Sequence, residues 1–362
     1  MFHDLDDPVP PSFDGPFRRG VRSRVRTRRR RRVAAGGAVG AIALGIGGTY
    51  AWAGAQLSGV EQIDVAGTGA VDPGEPTTVL LIGTDGAAPL DPEVPGVEPG
   101  ERADSMILVR IDPQADTIKL LSIPRDLEVS PAGSPPARLN IRMSTGGIAT
   151  VVSDIESLGV EVDHVMVVDF EGLTALVDTV GGINIDIGAP MRDSSSGLAL
   201  DETGCVHLDG TQALALLRAR HLEWLGPDGW TLDPSGDVGR TDRQRAVLLA
   251  AASQLRSQVP DPFTANQFAS WAQEHLRVDS ELSTRRLIEL INSARQIDPT
   301  GATSARLPAE PATLDDGAAV LRPTGAAAGA IEQFEDAEGQ GSTPPAGDRP
   351  AGTPSYDEIR AC

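Results

Sequence analysis

The sequence predicts an α/β fold, a central mixed β-sheet flanked by helices on both faces in three layers, preceded by one transmembrane helix. Three observations carry this reading: short apolar runs rich in β-branched residues, helical patterns interleaved with them, and a long uncharged segment behind a cluster of arginines. Strands that alternate with amphipathic helices bury both sheet faces, which is the sandwich solution to covering a sheet.

The elements follow in chain order. Ten arginines lie between Arg18 and Arg32, and Val33 to Leu57 then carries no charge. As a helix that segment is long enough for the roughly 30 Å hydrocarbon layer. The arginines hold residues 1–32 in the cytoplasm by the positive-inside rule, and Tyr50 and Trp52 suit the far interface. A cleaved signal peptide or a buried helix is the alternative, although a signal peptide has a shorter apolar region and a small-residue cleavage site. Everything after about residue 58 is then expected outside the cytoplasm. Residues 58–76, rich in Gly, Pro and acids, read as a stalk.

Val79–Gly83, Met106–Ile111, Thr117–Ile123, His164–Asp169 and Ile183–Ile187 read as strands. Apolar residues at three- and four-residue steps mark helices over Gly147–Leu158, Phe170–Val180, Asp209–Leu217 and Arg240–Leu255, with Gly181-Gly182 as a helix stop. Segments 87–101 and 223–236 read as loops, 262–296 as helical throughout, and 303–335 as a closing strand or helix. The domain plan is therefore a main domain over 77–256, a helical continuation over 257–335, and a tail over 336–362 whose composition predicts disorder.

The formal net charge is −20, and setting aside the ten arginines of 18–32 and the four acids before residue 33 leaves the body at −26. Such a body excludes nucleic acid as the main partner, because phosphate backbones require a basic face. Cys205 and Cys362 permit one disulfide without demanding it. The five histidines lack metal-ligand spacing; His164 reads as a strand residue, His207 as a turn residue, and His221, beside two arginines, as a weaker phosphate candidate. No Gly-x-Ser-x-Gly elbow or phosphate-binding P-loop is present.

The arginines of this acidic body fall at strand ends, turns and helix starts: Arg102-Ala-Asp104-Ser105, Pro124-Arg125-Asp126, Arg138-Leu-Asn140, Arg218-Ala-Arg220-His221 and Gly239-Arg240-Thr-Asp-Arg243-Gln244. A guanidinium stays charged and its fork grips two oxygens at once, which suits a pyrophosphate. One such Arg-Asp pair is more simply a surface ion pair contributing less than about 1 kcal/mol. Five of them point instead to a site at the strand ends of an open sheet. Arg240, Arg243 and Gln244 share one helix face by the three-and-four rule, and Val247 and Leu248 continue it as an apolar wall.

The order and spacing of these stretches resemble the LytR-CpsA-Psr family of cell-wall glycopolymer ligases. The resemblance is carried by VLLIGTD (79–85), RADSMILVRID (102–112), LLSIPRDLEV (120–129), HVMVVDFEGLTALVDTVGGINIDI (164–187), HLDGTQALALLRARH (207–221) and GDVGRTDRQRAVLLA (236–250). It implies a single-pass, membrane-anchored phosphotransferase. Such an enzyme moves an anionic glycopolymer, arabinogalactan or a teichoic-acid-like polymer, from a polyprenyl-pyrophosphate carrier to peptidoglycan. It further implies Mg2+ on Asp85 and Asp104, catalytic roles for Arg102, Asp104, Arg125 and Arg240, and pyrophosphate contacts from Arg102, Arg125, Arg138, Arg218, Arg220, Arg240, Arg243 and Gln244. The chain departs from the family at Arg138-Leu139-Asn140-Ile141-Arg142-Met143, where members commonly carry Lys-Ile-Asn followed by Ala and an aromatic. A pyrophosphatase on the same lipid, or a non-catalytic polyprenyl-phosphate binder, would use many of the same residues. Trp224 and Trp230 read either as surface packing or as a sugar-stacking or interface contact.

Overall fold

A computed structural model describes residues 57–65, 67–69, 71–72, 74–84, 102–130, 135–234, 237–258, 262–297, 302–336 and 362. The expected membrane span, apart from Leu57, lies outside the described residues, as do Asp85, the 87–101 loop and the tail except Asp336 and Cys362. No described helix is long and apolar enough to cross a membrane.

The strands are β1 (Glu61–Ile63), β2 (Thr77–Thr84), β3 (Ala103–Asp112), β4 (Thr117–Ile123), β5 (Glu128–Val129), β6 (Ala137–Arg138), β7 (His164–Asp169), β8 (Ile183–Ile187), β9 (Met191–Asp193), β10 (Leu198–Leu200), β11 (Gly204–Leu208), β12 (Glu223–Gly226), β13 (Gly229–Leu232), β14 (Leu276–Asp279), β15 (Thr303–Arg306), β16 (Ala309–Thr313) and β17 (Ala319–Pro323). The helices are α1 (Leu139–Glu156), α2 (Phe170–Thr179), α3 (Gly210–Arg218), α4 (Asp237–Gln258), α5 (Pro262–His275), α6 (Thr284–Gln296) and α7 (Ala327–Glu335).

The central sheet is mixed, with strand order β1-β14-β7-β2-β3-β4-β15. β2, β3 and β4 form an antiparallel meander, while β7 runs parallel to β2. Successive strand residues face opposite sides, and both sides are apolar. One side presents Leu80, Ile82, Met106, Leu108, Leu121 and Val165 to α1 and α7. The other presents Val79, Ile111 and Val278 to Trp271 and Ala272 of α5 and Leu287 and Leu290 of α6. Helices thus cover both faces, as the alternation of elements required. A further cluster joins α2, α3 and α4 to β8 through Val177, Ile185, Leu216 and Val247.

The structure corrects several sequence expectations. Ile183–Ile187 is a strand, but among the described residues β8 pairs only with β11, outside the central sheet. The stretch 262–296 is broken by β14, which pairs antiparallel with β7 and parallel with β1. Four residues are too few to show a period against the helices on either side. The same pairing takes residues 61–63 out of the expected stalk and into the sheet edge. The expected loop at 223–236 contains the hairpin β12–β13. His207 lies in β11 rather than a turn, with Nδ1 3.0 Å from Asn184 Oδ1.

Local chemistry explains the helix ends. α2 stops in a Schellman motif: Gly181 and Gly182 take positive φ, and their N–H groups donate to the carbonyls of Asp178 and Val177. Asp209 and Gln212 close a capping box at the start of α3. α1 is kinked at Gly147, whose φ of 76° no β-carbon-bearing residue adopts readily. Arg142 before the kink donates to buried Asp154 after it, at 2.7 Å. Cys205 on β11 and Cys362 form a disulfide across 157 residues.

Candidate functional site

The site grows from one end of the central sheet. β2 ends at Thr84, which registers with Asp169 of β7 and Ala103 of β3, with an irregularity beside Gly83. β4 ends at Ile123, opposite Met106. The carboxyl ends of β2, β4 and β7 and the start of β3 therefore meet, where ligands of open α/β sheets gather. Asp85 follows Thr84 directly in sequence.

The Pro124-Arg125-Asp126 turn after β4 is fixed by backbone bonds. Asn140 N–H donates to Arg125 O at 2.9 Å, Leu139 N–H to Leu127 O at 2.9 Å, and Leu321 N–H to Asp126 O at 2.9 Å. Held in this way, Arg125 directs Nη1 to Asp104 Oδ1 at 2.5 Å. Arg240 of α4 reaches the same residue, its Nη2 lying 3.5 Å from the Asp104 carbonyl oxygen. Arg240 is only 4% exposed. Asp104, Arg125 and Arg240 therefore come together, with half-buried Arg102 two residues from Asp104.

Arg218 ends α3 with its guanidinium 5.6 Å from the Phe170 ring centre. Both residues line a cavity of about 570 Å³ between α2 and α3, together with Glu171, Thr174, Asp178 and Leu214. Phe170 follows β7 directly, so the cavity borders the same sheet end. Arg220 is exposed and makes no hydrogen bond or ion pair among the described residues. Gln244 on α4 is half-buried.

Two expected pyrophosphate contacts are placed elsewhere. Arg243 is completely enclosed: Nε donates to Leu216 O at 3.3 Å, Nη2 to Ala219 O at 2.5 Å, and Nη1 lies 3.6 Å from Asp233 Oδ2. It closes the carboxyl end of α3, where unsatisfied carbonyls attract a cation. Arg138 donates from Nε to Ala319 O at 2.8 Å, tying β6 to β17. Shared helix-face spacing did not distinguish Arg240 from Arg243, because α3 lies beside only one of them.

The structure also adds residues that the sequence reading missed. Asp193 Oδ2 accepts the His221 N–H at 2.7 Å, and its Oδ1 accepts Ser195 N–H at 2.8 Å and Ser195 Oγ–H at 2.5 Å. Burial pushes this carboxyl up, but the hydrogen bonds from Ser195, His221 and Ser196 together outweigh it and hold it below its ordinary value. The Asp-Ser-Ser run at 193–195 is the signal for this turn. Asp193 thereby orients the backbone just past Arg220.

A hard divalent cation requires oxygen ligands. Among the described residues no group of three or more His, Cys, Asp or Glu side chains gathers. Asp104 gives Oδ1 to Arg125 and makes no described hydrogen bond through Oδ2, which fits one carboxylate ligand.

The LytR_cpsA_psr family model matches residues 54–334. The chain belongs to this family. It is 30% identical over 220 residues, 57% of this chain and 53% of the relative, to the polyisoprenyl-teichoic acid–peptidoglycan teichoic acid transferase TagV of Bacillus subtilis. It is 32% identical over 188 residues, 51% of this chain and 54% of the relative, to the enzyme of the same description named TagU from Bacillus mycoides. The chain thus spans about half the length of these curated relatives. The LytR-Csp2A-Psr enzyme from Actinomyces oris shares its fold at a TM-score of 0.61 and 25% identity, covering 84% of this chain and 99% of that one.

Proposed function

We propose that this chain transfers an anionic glycopolymer from a polyprenyl-pyrophosphate carrier to peptidoglycan. The observation that carries the reading is the meeting of Asp104, Arg125 and Arg240 at the sheet's carboxyl ends, beside a cavity flanked by Arg218. Phosphoryl transfer asks a protein chiefly for alignment and charge neutralisation, which guanidinium groups provide. The names of the TagU and TagV relatives support the same class of donor and acceptor.

In this reading Arg125 and Arg240 grip the pyrophosphate oxygens, with Arg102 beside them. Arg218 and Arg220 approach from the α3 side. An acceptor hydroxyl oxygen attacks the glycan-proximal phosphorus, and the bond from that phosphorus to the bridging oxygen breaks. Polyprenyl phosphate leaves with the bonding electrons, and the hydroxyl proton passes to solvent or a nearby carboxylate. Asp104 positions Arg125 through their ion pair. Bound Mg2+, held by Asp104 with Asp85, would neutralise phosphate charge. Arg243 and Arg138 serve as scaffold. A membrane anchor over residues 33–57 with the catalytic domain outside the cytoplasm would keep the enzyme at its lipid-linked donor.

The test incubates the purified full chain in detergent with a lipid-linked glycopolymer and peptidoglycan. The expected product is a phosphodiester between the two polymers. Release of free glycan phosphate alone would replace the transferase with a pyrophosphatase, and an unchanged donor would leave only a binder.

A further inference from the structure

The hairpin β12–β13 extends the sheet β10-β9-β12-β13, whose two faces differ sharply. Residues directly opposite one another on paired strands share a face. The register pairs Leu225 with Trp230, Glu223 with Leu232, and Glu223 again with Arg192. The opposite face carries Met191, Leu198 and Leu200, which are buried at 5%, 3% and 4% exposure. The outer face instead leaves Leu225, Trp230 and Leu232 exposed at 41%, 36% and 56%. An antiparallel sheet normally keeps polar residues on its wet face, so three large apolar side chains there need a partner.

The charges beside them indicate which partner fits. Arg192 stacks over Trp230 with its guanidinium carbon 4.1 Å from the ring centre, and donates to Glu223 Oε2 at 2.6 Å. The indole therefore lies against a donor fork that is itself paired with a carboxylate. Asp228 at the hairpin tip adds a second acid, and the body carries net negative charge. An anionic phospholipid surface or an anionic polymer would be repelled by this face. An uncharged pyranose strand suits it, because its C–H faces stack on an aromatic ring while its hydroxyl and amide rim meets Arg192 and Glu223.

The base of the hairpin is tied to the scaffold around Arg243. Asp233 N–H donates to Leu222 O at 2.7 Å and closes its base. The Asp233 carboxylate meets Arg243, and Leu222 stands two residues after Arg220. The outer face therefore belongs to a hairpin whose base directly follows the Arg218–Arg220 segment.

We propose that the face formed by Trp230, Leu225, Leu232, Arg192 and Glu223 is the docking surface for the uncharged N-acetylated glycan strand of the acceptor. The identity of the strand as acceptor rests on the transfer reading above; its binding does not.

The test titrates chitohexaose, an uncharged N-acetylglucosamine oligomer, into the full chain in detergent and follows heat release. Trp230→Ala should weaken binding by about tenfold, as loss of a central aromatic anchor does, while the thermal midpoint stays at the wild-type value. Trp230→Phe should bind within about threefold of wild type because it keeps an aromatic face, and Trp230→Leu should behave like Ala. In transfer assays Trp230→Ala should raise KM for peptidoglycan fragments and leave kcat and the donor KM unchanged. Absence of chitohexaose binding by the wild type, or wild-type binding by Trp230→Ala or Trp230→Leu, overturns the proposal. So does quenching of Trp230 fluorescence by brominated lipid in reconstituted vesicles, which would assign the face to the membrane. Trp230-dependent binding without transfer would sink the transferase reading and leave this surface standing. Transfer with an unaltered acceptor KM in Trp230→Ala would do the reverse.

Discussion

Replacing Arg243 by methionine removes a guanidinium while keeping most of its aliphatic stem, so the change tests the polar head with little new cavity. The head is fully enclosed and is shared among two carbonyls, Leu216 O and Ala219 O, and the Asp233 carboxylate, which is itself only 4% exposed. Breaking a buried ion pair from one side costs about 3–5 kcal/mol, because the remaining charge has no partner and no water. At about 2–4 °C per kcal/mol for a domain of this size, the thermal midpoint should drop by roughly 10 °C. Circular dichroism melts of the full chain in detergent measure it. Transfer measured well below that lowered midpoint should fall modestly, through misplacement of the Arg218–Arg220 segment. A midpoint within about 2 °C of wild type together with complete loss of transfer would refute the scaffold assignment and return Arg243 to the substrate.

Arg240→Ala should show the inverse pattern, a transfer rate lower by about 10²–10³-fold with a smaller loss of stability, and Arg240→Lys should recover only part of the rate because an ammonium lacks the fork. Equal rates for wild type and Arg240→Ala would remove this residue from the mechanism. Asp104→Asn should lower the rate with an unaltered melting curve; a wild-type rate would sink both the metal role and the positioning of Arg125. Cys205→Ser opens a loop of 157 residues, and chain entropy sets the cost at about 2–5 kcal/mol, so reductant should lower the wild-type midpoint and leave that of the variant alone. Burial pushes the Asp279 carboxyl up, but His164 and the amides of Val165 and Leu282 outweigh it and hold it below the ordinary 3.8. Its contribution is therefore complete above pH 3.8 and is lost as pH falls through the lower folded value. Asp279→Asn should thus destabilise the domain by about 2 kcal/mol at pH 7 and by progressively less as pH falls below 3.8, and a gap that does not shrink on acidification would contradict the sign.

Legibility differed by element. β2, β3, β4 and β7 could be read because each is an apolar run long enough to show its identity against Gly, Pro and acidic neighbours. β14 could not, since Leu276-Arg-Val-Asp279 sits between two helical patterns and owes its extended form to Val167 and Val168 on β7 and to the β1 residues alongside. The hairpin at 223–232 was hidden by Gly226-Pro-Asp-Gly229, which signals a turn but not the strands flanking it. At the site, Asp104, Arg125 and Arg240 were legible by type and position, and the structure brings them together. Asp193 and Asp233 were not, because their partners lie 28 and 10 residues away and are reached only through folding.

The sequence by itself determined which segments are apolar with period two or near 3.6, where α2 and α3 begin and end, and that the arginines fall at strand ends and helix starts. These are short-range properties, set by side-chain spacing and by capping groups within a few residues. Only the tertiary structure decided which arginines meet at the sheet end and which serve as scaffold. Arg240 and Arg243 stand three residues apart on α4, and one meets Asp104 at the sheet end while the other caps α3 from within the core. A guanidinium reaches several ångströms from its backbone, so its destination is set by whichever neighbouring element offers carbonyls or carboxylates there. Long-range packing supplies that neighbour.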